Sequence, residues 1–306
     1  MFNETVKSRF LATLKRPANY RVFFNGFAEY EAKLGMDLAL MTRAQIAQGL
    51  GSMDYIVYNV VENYISMVKQ YLLWYADENP GTVTLEVMKL NWKDVDLTEN
   101  IRHKLISSES DILTEFPDYR PTDGHFVIPV YLLAFYGLNL KAICSLKKRD
   151  VVCNSDSVVI VHDSAVLRID SPVVAKALTD YMEWQGTKVK TASSEYTMVP
   201  EKTEMLLYRR LRGDDTKDYP PLVGDQVTAR LYSIKNRVAG GHGYSFDIGE
   251  VRVSGQYLRM CNYFRQNGNW PDRVTLAEIL GKKCRDDFER QRLIGGAELY
   301  QKVFGL

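Results

Sequence analysis

The chain has 306 residues, of which 46% are hydrophobic and 25% are charged, and its formal net charge is +1. These values are typical of a soluble globular protein with one large domain or two ordinary ones. No apolar run approaches the roughly 20 residues that a membrane span needs, and the polar start of the chain does not resemble a signal peptide. We therefore expect no membrane span.

Cysteine spacing gives a further exclusion. The four cysteines form no C-x-x-C pair and have no histidine at ligand spacing, which predicts free thiols in a reducing cytoplasm, no metal site and no cofactor. They are Cys144, Cys153, Cys261 and Cys284.

Residues 1–80 are predicted to form a helical domain. Apolar residues recur at helical spacing between Tyr20 and Leu34, and Thr42 with Gln45 fits a capping box at the start of another helix. A longer helix is predicted over residues 56–76. Its polar face suits contacts with a DNA groove or with phosphates, although an ordinary solvated face has the same composition. That face carries Asn63, Ser66, Lys69 and Gln70.

A linker over residues 81–99 is predicted to separate this domain from a second, mixed domain over residues 100–306. Pro80-Gly81 follows a polar run and is a strong breaker of helices. The segment after it has no helical period and some extended character. The chain therefore reads as two domains joined by an irregular segment.

The second domain begins with a predicted buried helix over residues 125–136. Residues 151–169 alternate as short strands, and Ser171-Pro172 opens a helix that is predicted to end near Trp184. Four later segments have helical patterns: Gln226–Val238, Gly255–Gln266, Thr275–Leu280 and Ala297–Phe304. The predicted fold is mainly α with a small β component.

Basic residues are clustered within the second domain. The clusters are residues 147–149, residues 209–212, Lys235 with Arg237, and residues 282–285. Solvated helix ends and loop rims explain any single cluster. Several clusters on one domain indicate a basic face, which would attract nucleic acid. Composition alone leaves both interpretations open.

Four segments resemble, in the same order, conserved parts of the tyrosine recombinases, the family of the phage integrases. They are residues 62–80, residues 132–151, residues 225–238 and residues 253–268. The resemblance implies a two-domain clamp around double-stranded DNA. Its parts would be a helical, SAM-like core-binding domain and a mixed α/β catalytic-like domain.

The catalytic positions of that family are largely replaced here. In the family, a tyrosine attacks a DNA phosphodiester, two arginines neutralise the phosphoryl oxygens, and a lysine and a histidine assist proton transfer. The resemblance places Asn139 at the first arginine and Gln256 at a histidine, while Arg259 keeps the second arginine. Lys282 stands where a second histidine is usual. Tyr300 is the nearest tyrosine after it, and a packing role suits that residue better than a nucleophilic one.

The hairpin that normally carries the catalytic lysine shows the same loss. It corresponds to residues 162–165, and no lysine occurs between Arg149 and Lys176. His162 could donate a proton there, but a surface histidine in a turn fits the position better. Removing one charge-stabilising donor commonly lowers a rate by about 10²–10³. The resemblance therefore implies a recombinase fold without recombinase activity.

DNA binding does not require the catalytic set, because affinity comes from phosphate neutralisation and specificity from helices in the major groove. We therefore expect a sequence-specific DNA-binding protein that leaves its site uncut. The candidate DNA-binding residues are Asn63, Ser66, Lys69, Gln70, Lys147, Lys148, Gln226, Thr228, Arg230, Lys235, Arg237, Gln256, Arg259 and Lys282.

The chain also resembles the recombinase-fold master repressors of temperate Bacillus phages related to SPbeta. This resemblance implies a phage or prophage transcriptional repressor that maintains lysogeny on operator DNA in the bacterial cytoplasm, near the nucleoid. A regulatory protein or peptide-linked antirepressor would be a second class of partner. The alternatives are a divergent active integrase with Tyr300 as nucleophile, and an accessory protein that uses residues 240–243 as a contact loop.

Overall fold

The computed structural model describes residues 1–53, 58–83, 85–115, 126–163, 165–190, 194–213, 215, 217–238, 247–281 and 283–306. For residues 58, 59, 85, 115 and 234–238 it describes the backbone only. The chain forms two compact units. The first contains residues 1–102 and 291–303, and the second contains residues 103–290 and 304–306. No described helix is long and apolar enough to cross a membrane.

The first unit is helical throughout its described residues. Its α-helices are α1 (Glu4–Ala12), α2 (Ala18–Leu34), α3 (Arg43–Gly51), α4 (Tyr58–Glu78), α5 (Leu85–Met88), α6 (Thr98–Lys104, which ends in the second unit) and most of α14 (Asp287–Phe304). Two 3₁₀ helices, Leu38–Leu40 and Trp92–Asp94, complete it.

The second unit combines helices with two small sheets. Its helices are α7 (Glu109–Glu115), α8 (Val127–Phe135), α9 (Leu140–Ser145), α10 (Pro172–Met182), α11 (Gly224–Val238), α12 (Ile248–Asn267) and α13 (Arg273–Leu280), with a 3₁₀ helix at Lys148–Asp150. Its strands are β1 (Val151–Cys153), β2 (Val158–His162), β3 (Ala165–Ile169), β4 (Thr187–Lys190), β5 (Glu195–Pro200) and β6 (Arg210–Arg212).

Both sheets are antiparallel and three-stranded, with strand orders β1-β2-β3 and β4-β5-β6. In the first sheet, Ile160 of β2 lies opposite both Val151 of β1 and Leu167 of β3. Ile160 and Val151 are buried, and α10 packs against β1. This sheet therefore covers one side of the hydrophobic core with its apolar face.

Helix α8 is the centre of the second unit's core. It is apolar around its whole circumference and buried at every position except Ile128, which is half-buried. A helix of that kind is buried rather than amphipathic. Helices α7, α9, α10 and α12 all pack against it. Any group that must be held rigidly in this unit is best placed against α8.

The predicted fold class is confirmed, since the described chain is mostly helical with small antiparallel sheets. The capping box is also confirmed, because Thr42 accepts a hydrogen bond from the amide of Gln45 while the Gln45 side chain accepts one from the amide of Thr42. The sheet formed by β4, β5 and β6 was not predicted. His125, expected in the buried helix, lies outside the described residues.

The segment predicted as a linker is part of the first unit. The described residues 81–83 and 85–99 include α5, a 3₁₀ turn and the start of α6 but no strand, and they bury Val87, Leu90, Val95 and Leu97. Burial of these four side chains stabilises the segment against the unit. Residues 291–303, predicted with the second domain, also group with the first unit.

A buried ion pair lies inside the first unit. The ammonium group of Lys7 on α1 binds the carboxylate of Glu31 on α2, and neither side chain is exposed. Glu31 also accepts a hydrogen bond of 2.8 Å from the amide of Leu38. Asp37 lies 3.9 Å from Lys7 and accepts a 3.0 Å hydrogen bond from the hydroxyl of Tyr71 on α4. Three helices therefore meet at one polar cluster.

Aromatic rings surround this cluster. Tyr71 packs edge-on against Phe10 and Phe24, with ring centroids 5.2 and 5.1 Å away. The ammonium group of Lys7 lies 5.1 Å from the centroid of Phe24. Burial raises the pKa of Glu31, while the hydrogen bond and the charge of Lys7 act in the opposite direction. The negative charge of the Glu31 carboxylate is therefore stabilised by Lys7 against the cost of burial.

We expect Lys7→Met to lower the free energy of unfolding by about 3–5 kcal/mol, because it leaves a buried carboxylate without its cation. Urea denaturation measures this change. Lys7→Met combined with Glu31→Leu should recover much of the loss, since the unpaired charge is then gone, although the amide of Leu38 loses its acceptor. A double variant that is as unstable as the single one would show that the charge imbalance is not the cause.

Candidate nucleic-acid interface

Helices α8 and α12 approach each other unusually closely at Gly255. A Cβ atom at this position would overlap the carbonyl oxygen and other backbone atoms of Phe135, at the end of α8. Only a residue without a side chain allows this contact. Ser254 beside it is fully buried and accepts a hydrogen bond of 3.1 Å from the amide of Ile106. The position of α12 is thus fixed against the core.

Arg259 lies one turn after Gly255 and is held by backbone carbonyls. Its Nη1 donates to the oxygen of Phe135 at 2.7 Å, and its Nε donates to the oxygen of Ile279 on α13 at 3.1 Å. Its Nη2 is buried and has no hydrogen-bond partner in the structure. A Cβ atom at Gly137, whose φ is +107°, would lie 3.3 Å from this Nη2. Arg259 therefore has a fixed orientation and one unused donor group.

No carboxylate among the described residues pairs with Arg259. Burial lowers the pKa of Arg259 to about 10, and the nearby charge of Arg252 acts in the same direction. At neutral pH the guanidinium is still protonated. The site therefore holds a half-buried cation with a buried, unpaired donor atom, which favours an anion.

The carboxylate of Glu109, which contacts Tyr136, is already occupied. The hydroxyl of Tyr136 hydrogen-bonds to Glu109, and Ser171 donates to the same carboxylate at 2.8 Å. Burial raises the pKa of Tyr136 to about 12, and Glu109 contributes to the increase. Tyr136 therefore stays a neutral phenol at neutral pH, and it does not neutralise the nearby Arg259.

Asn139, at the position of the missing arginine, caps a helix. Its Oδ1 accepts a hydrogen bond of 2.9 Å from the amide of Ala142, in the first turn of α9. Asparagine is among the best N-cap residues because its side chain satisfies an otherwise unpaired amide. The carboxamide expected to contact DNA thus has a local structural role, and only its NH₂ group is left for other partners.

The other degenerate catalytic positions differ in accessibility. Gln256 is buried, with 6% of its surface exposed, so it does not present a side chain to a duplex in this conformation. Tyr300 on α14 is fully buried, which fits the packing role. Lys282 lies outside the described residues. The hairpin histidine, His162, is 2.9 Å from the hydroxyl of Ser145 and takes part in a local polar cluster.

In the first unit, the predicted polar face of α4 is accessible. Asn63, Ser66 and Gln70 are exposed, and Lys69 is half-buried. The amide oxygen of Gln70 accepts a hydrogen bond from the hydroxyl of Tyr20. The structure therefore brings these four residues together on one helix surface, and Gln70 is the one already used by a neighbour.

In the second unit, α11 and β6 border a groove of about 560 Å³. Gln226 and Arg230 of α11 line it together with Arg209 and Arg210. Arg209 is bonded to Glu201 at 3.1 Å and to Gln226 at 3.3 Å. The two arginines were absent from the predicted set, although their basic cluster was visible in the sequence.

The remaining predicted residues of this unit have other surroundings. Thr228 is exposed on α11, while the side chains of Lys235 and Arg237 are outside the description. Lys147 forms an ion pair with Glu204 at 2.7 Å. Lys148 lies over the ring of Tyr208, 5.2 Å from its centroid. A phosphate would compete with these contacts for the two lysines. Residues 240–243, suggested as a contact loop, also lie outside the described residues.

Comparison with known proteins gives a match for the start of the chain. Residues 1–77 match the family described as MrpR, N-terminal core-binding domain. The search of curated proteins found no significant match.

Solved structures overlap the chain over most of its length, at low similarity. XerH site-specific recombinase bound to palindromic difH substrate has 12% identity and a TM-score of 0.40, covering 95% of this chain and 79% of that chain. A lambda integrase dimer bound to a COC′ core site has 13% identity and a TM-score of 0.37, covering 96% and 95%. XerA recombinase has 12% identity and a TM-score of 0.36, covering 95% and 95%. Overlaps at this level do not by themselves establish a shared fold.

We expect Gly255→Ala to destabilise the second unit by about 1–3 kcal/mol or more, because the added methyl group overlaps the backbone of Phe135. Gly224→Ala is the matched control. The space at Gly224 accepts a Cβ in ordinary contact with Leu140, so this change should be neutral or slightly stabilising. Thermal denaturation compares the two variants, and equal melting temperatures would show that the close helix contact tolerates a side chain.

We expect Asn139→Ala to lower the free energy of unfolding by about 1 kcal/mol, because the amide of Ala142 loses its cap. Asn139→Asp should retain the wild-type value, since aspartate caps equally well. Denaturation in urea measures both variants. An Asn139→Asp variant as unstable as Asn139→Ala would contradict the capping role.

Proposed function

We propose that this chain is a sequence-specific DNA-binding protein with a tyrosine recombinase fold that does not cut its site. Its role would be that of a phage or prophage transcriptional repressor that maintains lysogeny. The observation that carries the proposal is Arg259, a half-buried and rigidly held cation whose Nη2 has no protein partner. A phosphate of the DNA backbone supplies the anion that this partly exposed guanidinium lacks.

The residues around Arg259 support binding without cleavage. Asn139 is neutral and occupied as a helix cap, and Gln256 is buried. Neither side chain offers the charge or the acid–base chemistry that phosphoryl transfer needs. Tyr300 is fully buried, so its hydroxyl is not accessible to a phosphodiester in this conformation. Held this way, Arg259 acts as an anchor for a phosphate that stays intact.

Each unit also offers a surface suited to DNA. In the first unit, which includes the segment that matches a core-binding domain, the polar face of α4 presents Asn63, Ser66 and Lys69. In the second unit, the groove between α11 and β6 brings Arg209 and Arg230 together. Arginine and lysine contacts of this kind position a protein on the phosphate backbone, while helix side chains that reach base edges provide specificity.

We expect footprinting on genomic fragments of the host and its prophages to locate a protected site. The protein should bind that site at least roughly 10³-fold more tightly than an unrelated duplex at physiological salt. A preference no greater than non-specific binding would reject the proposal.

The alternative of an active recombinase is tested on the same site. A nicked duplex traps a covalent protein–DNA adduct if a tyrosine attacks the phosphodiester, and we expect no adduct. Tyr300→Phe should leave DNA binding unchanged. Tyr232→Phe is the matched control, because Tyr232 is 65% exposed on α11. An adduct that forms in the wild type and in Tyr232→Phe, but not in Tyr300→Phe, would establish the recombinase alternative.

A further inference from the structure

A second arginine of α12 has the same unusual state as Arg259. The Nε of Arg252 is buried and has no hydrogen-bond partner, as is also true of the Nη2 of Arg259. Two full helical turns separate the residues, which places them on the same face of α12, with their Cα atoms about 10.5 Å apart along the axis. Long arginine side chains bridge such a distance easily.

Two half-buried cations that each hold a buried, unpaired donor atom are costly to the fold. Each desolvated donor group lacks the hydrogen bond that it would make to water, and the two like charges repel each other. Buried polar groups without a partner are rare and call for a specific explanation. A bound anion that accepts hydrogen bonds from both guanidinium groups removes the repulsion and satisfies the free donors.

The carboxylates at the start of α12 do not take that role. Asp247 accepts a hydrogen bond of 2.8 Å from the amide of Glu250, and Glu250 accepts one of 2.6 Å from the amide of Asp247. The two side chains thus form the capping box of the helix. No ion pair joins Arg252 to a carboxylate within the part of the chain that the structure describes.

We propose that Arg252 and Arg259 together bind one phosphate of the DNA backbone, and that Arg252 supplies the second guanidinium that Asn139 does not. This inference rests on the proposed function. Two planar guanidinium groups offer several parallel N–H donors to phosphate oxygens, a geometry that lysine does not provide. The phosphate would be held by one helix, instead of by arginines from two separate segments of the chain, as the resemblance implies for the family.

The DNA affinity of Arg252→Met tests the role assigned to Arg252. This substitution keeps an unbranched side chain of similar length and removes its charge and donors. We expect affinity to fall roughly tenfold to hundredfold on every duplex alike, as for the loss of a charged hydrogen bond. The slope of log K against log salt should decrease, but by no more than about 0.9, the value for one whole phosphate contact, because Arg259 still contacts the same phosphate. Binding is measured between 50 and 200 mM salt, a range in which such slopes are resolved.

Arg265→Met on the same helix is the matched control. Arg265 is exposed, and among the described residues it bonds to the side chain of Asn262 alone, at 3.4 Å. Removing its charge should change affinity by less than about threefold. A loss equal to that of Arg252→Met would mean that the effect is one of overall charge, and it would overturn the proposal.

Stability without DNA separates a binding role from a structural one. Arg252→Met should melt at the wild-type temperature or above it, because the substitution relieves the repulsion between two neighbouring, half-buried cations. At constant ionic strength, replacing chloride with sulfate should raise the melting temperature of the wild type more than that of Arg252→Met. A variant that melts well below the wild type in chloride would identify Arg252 as a structural residue and overturn the proposal.

The outcomes distinguish this inference from the proposed function. If the wild type binds its footprinted site and Arg252→Met keeps the same affinity and salt slope, the two-arginine site is wrong and the proposed function stands. If the wild type shows no preference for any duplex, the proposed function fails and the DNA assignment fails with it. A sulfate effect equal in wild type and variant would separately exclude an anion site at Arg252.

Discussion

The contact between α8 and α12 at Gly255 is the constraint on which the second unit depends. A buried apolar helix is rigid because every side chain around it is packed, and the absent side chain of Gly255 lets α12 lie directly on its backbone. Arg259 then reaches the carbonyl of Phe135 without a flexible intermediate. The packing of the hydrophobic core therefore fixes the orientation of the Arg259 guanidinium.

A rigid cation without an anion links stability to function. Burying the unpaired donor atoms of Arg259 and Arg252 costs free energy that the surrounding core supplies, and binding of the proposed anion would return it. In the first unit the buried cation has an anion within the protein, since Lys7 is buried together with the carboxylate of Glu31. The first unit thus contains a complete ion pair, whereas Arg252 and Arg259 of the second unit have no anion among the described residues. These two arginines are the groups expected to bind a partner.

The helices and the position of Arg259 could be predicted from the sequence, because helical periodicity and the order of the segments that resemble the recombinases are local signals. The role of Asn139 was assigned from the arginine it replaces, although asparagine before a helix start is itself a capping signal. Arg252 gave no signal, because its importance comes from burial and a missing partner. The sheet of β4, β5 and β6 was missed because its strands are short and rich in lysine, threonine and arginine.

The C-terminal helix has a consequence for how the protein is made. Residues 291–303 belong to the first unit, and Tyr300 among them is fully buried. The first unit is therefore incomplete until residues 291–303 have been synthesised, even though its other residues leave the ribosome before the second unit. Such non-local contacts slow folding and leave apolar surface exposed during synthesis. The helices of residues 1–102 must wait for residues 291–303, so completion of the first unit requires synthesis of the second.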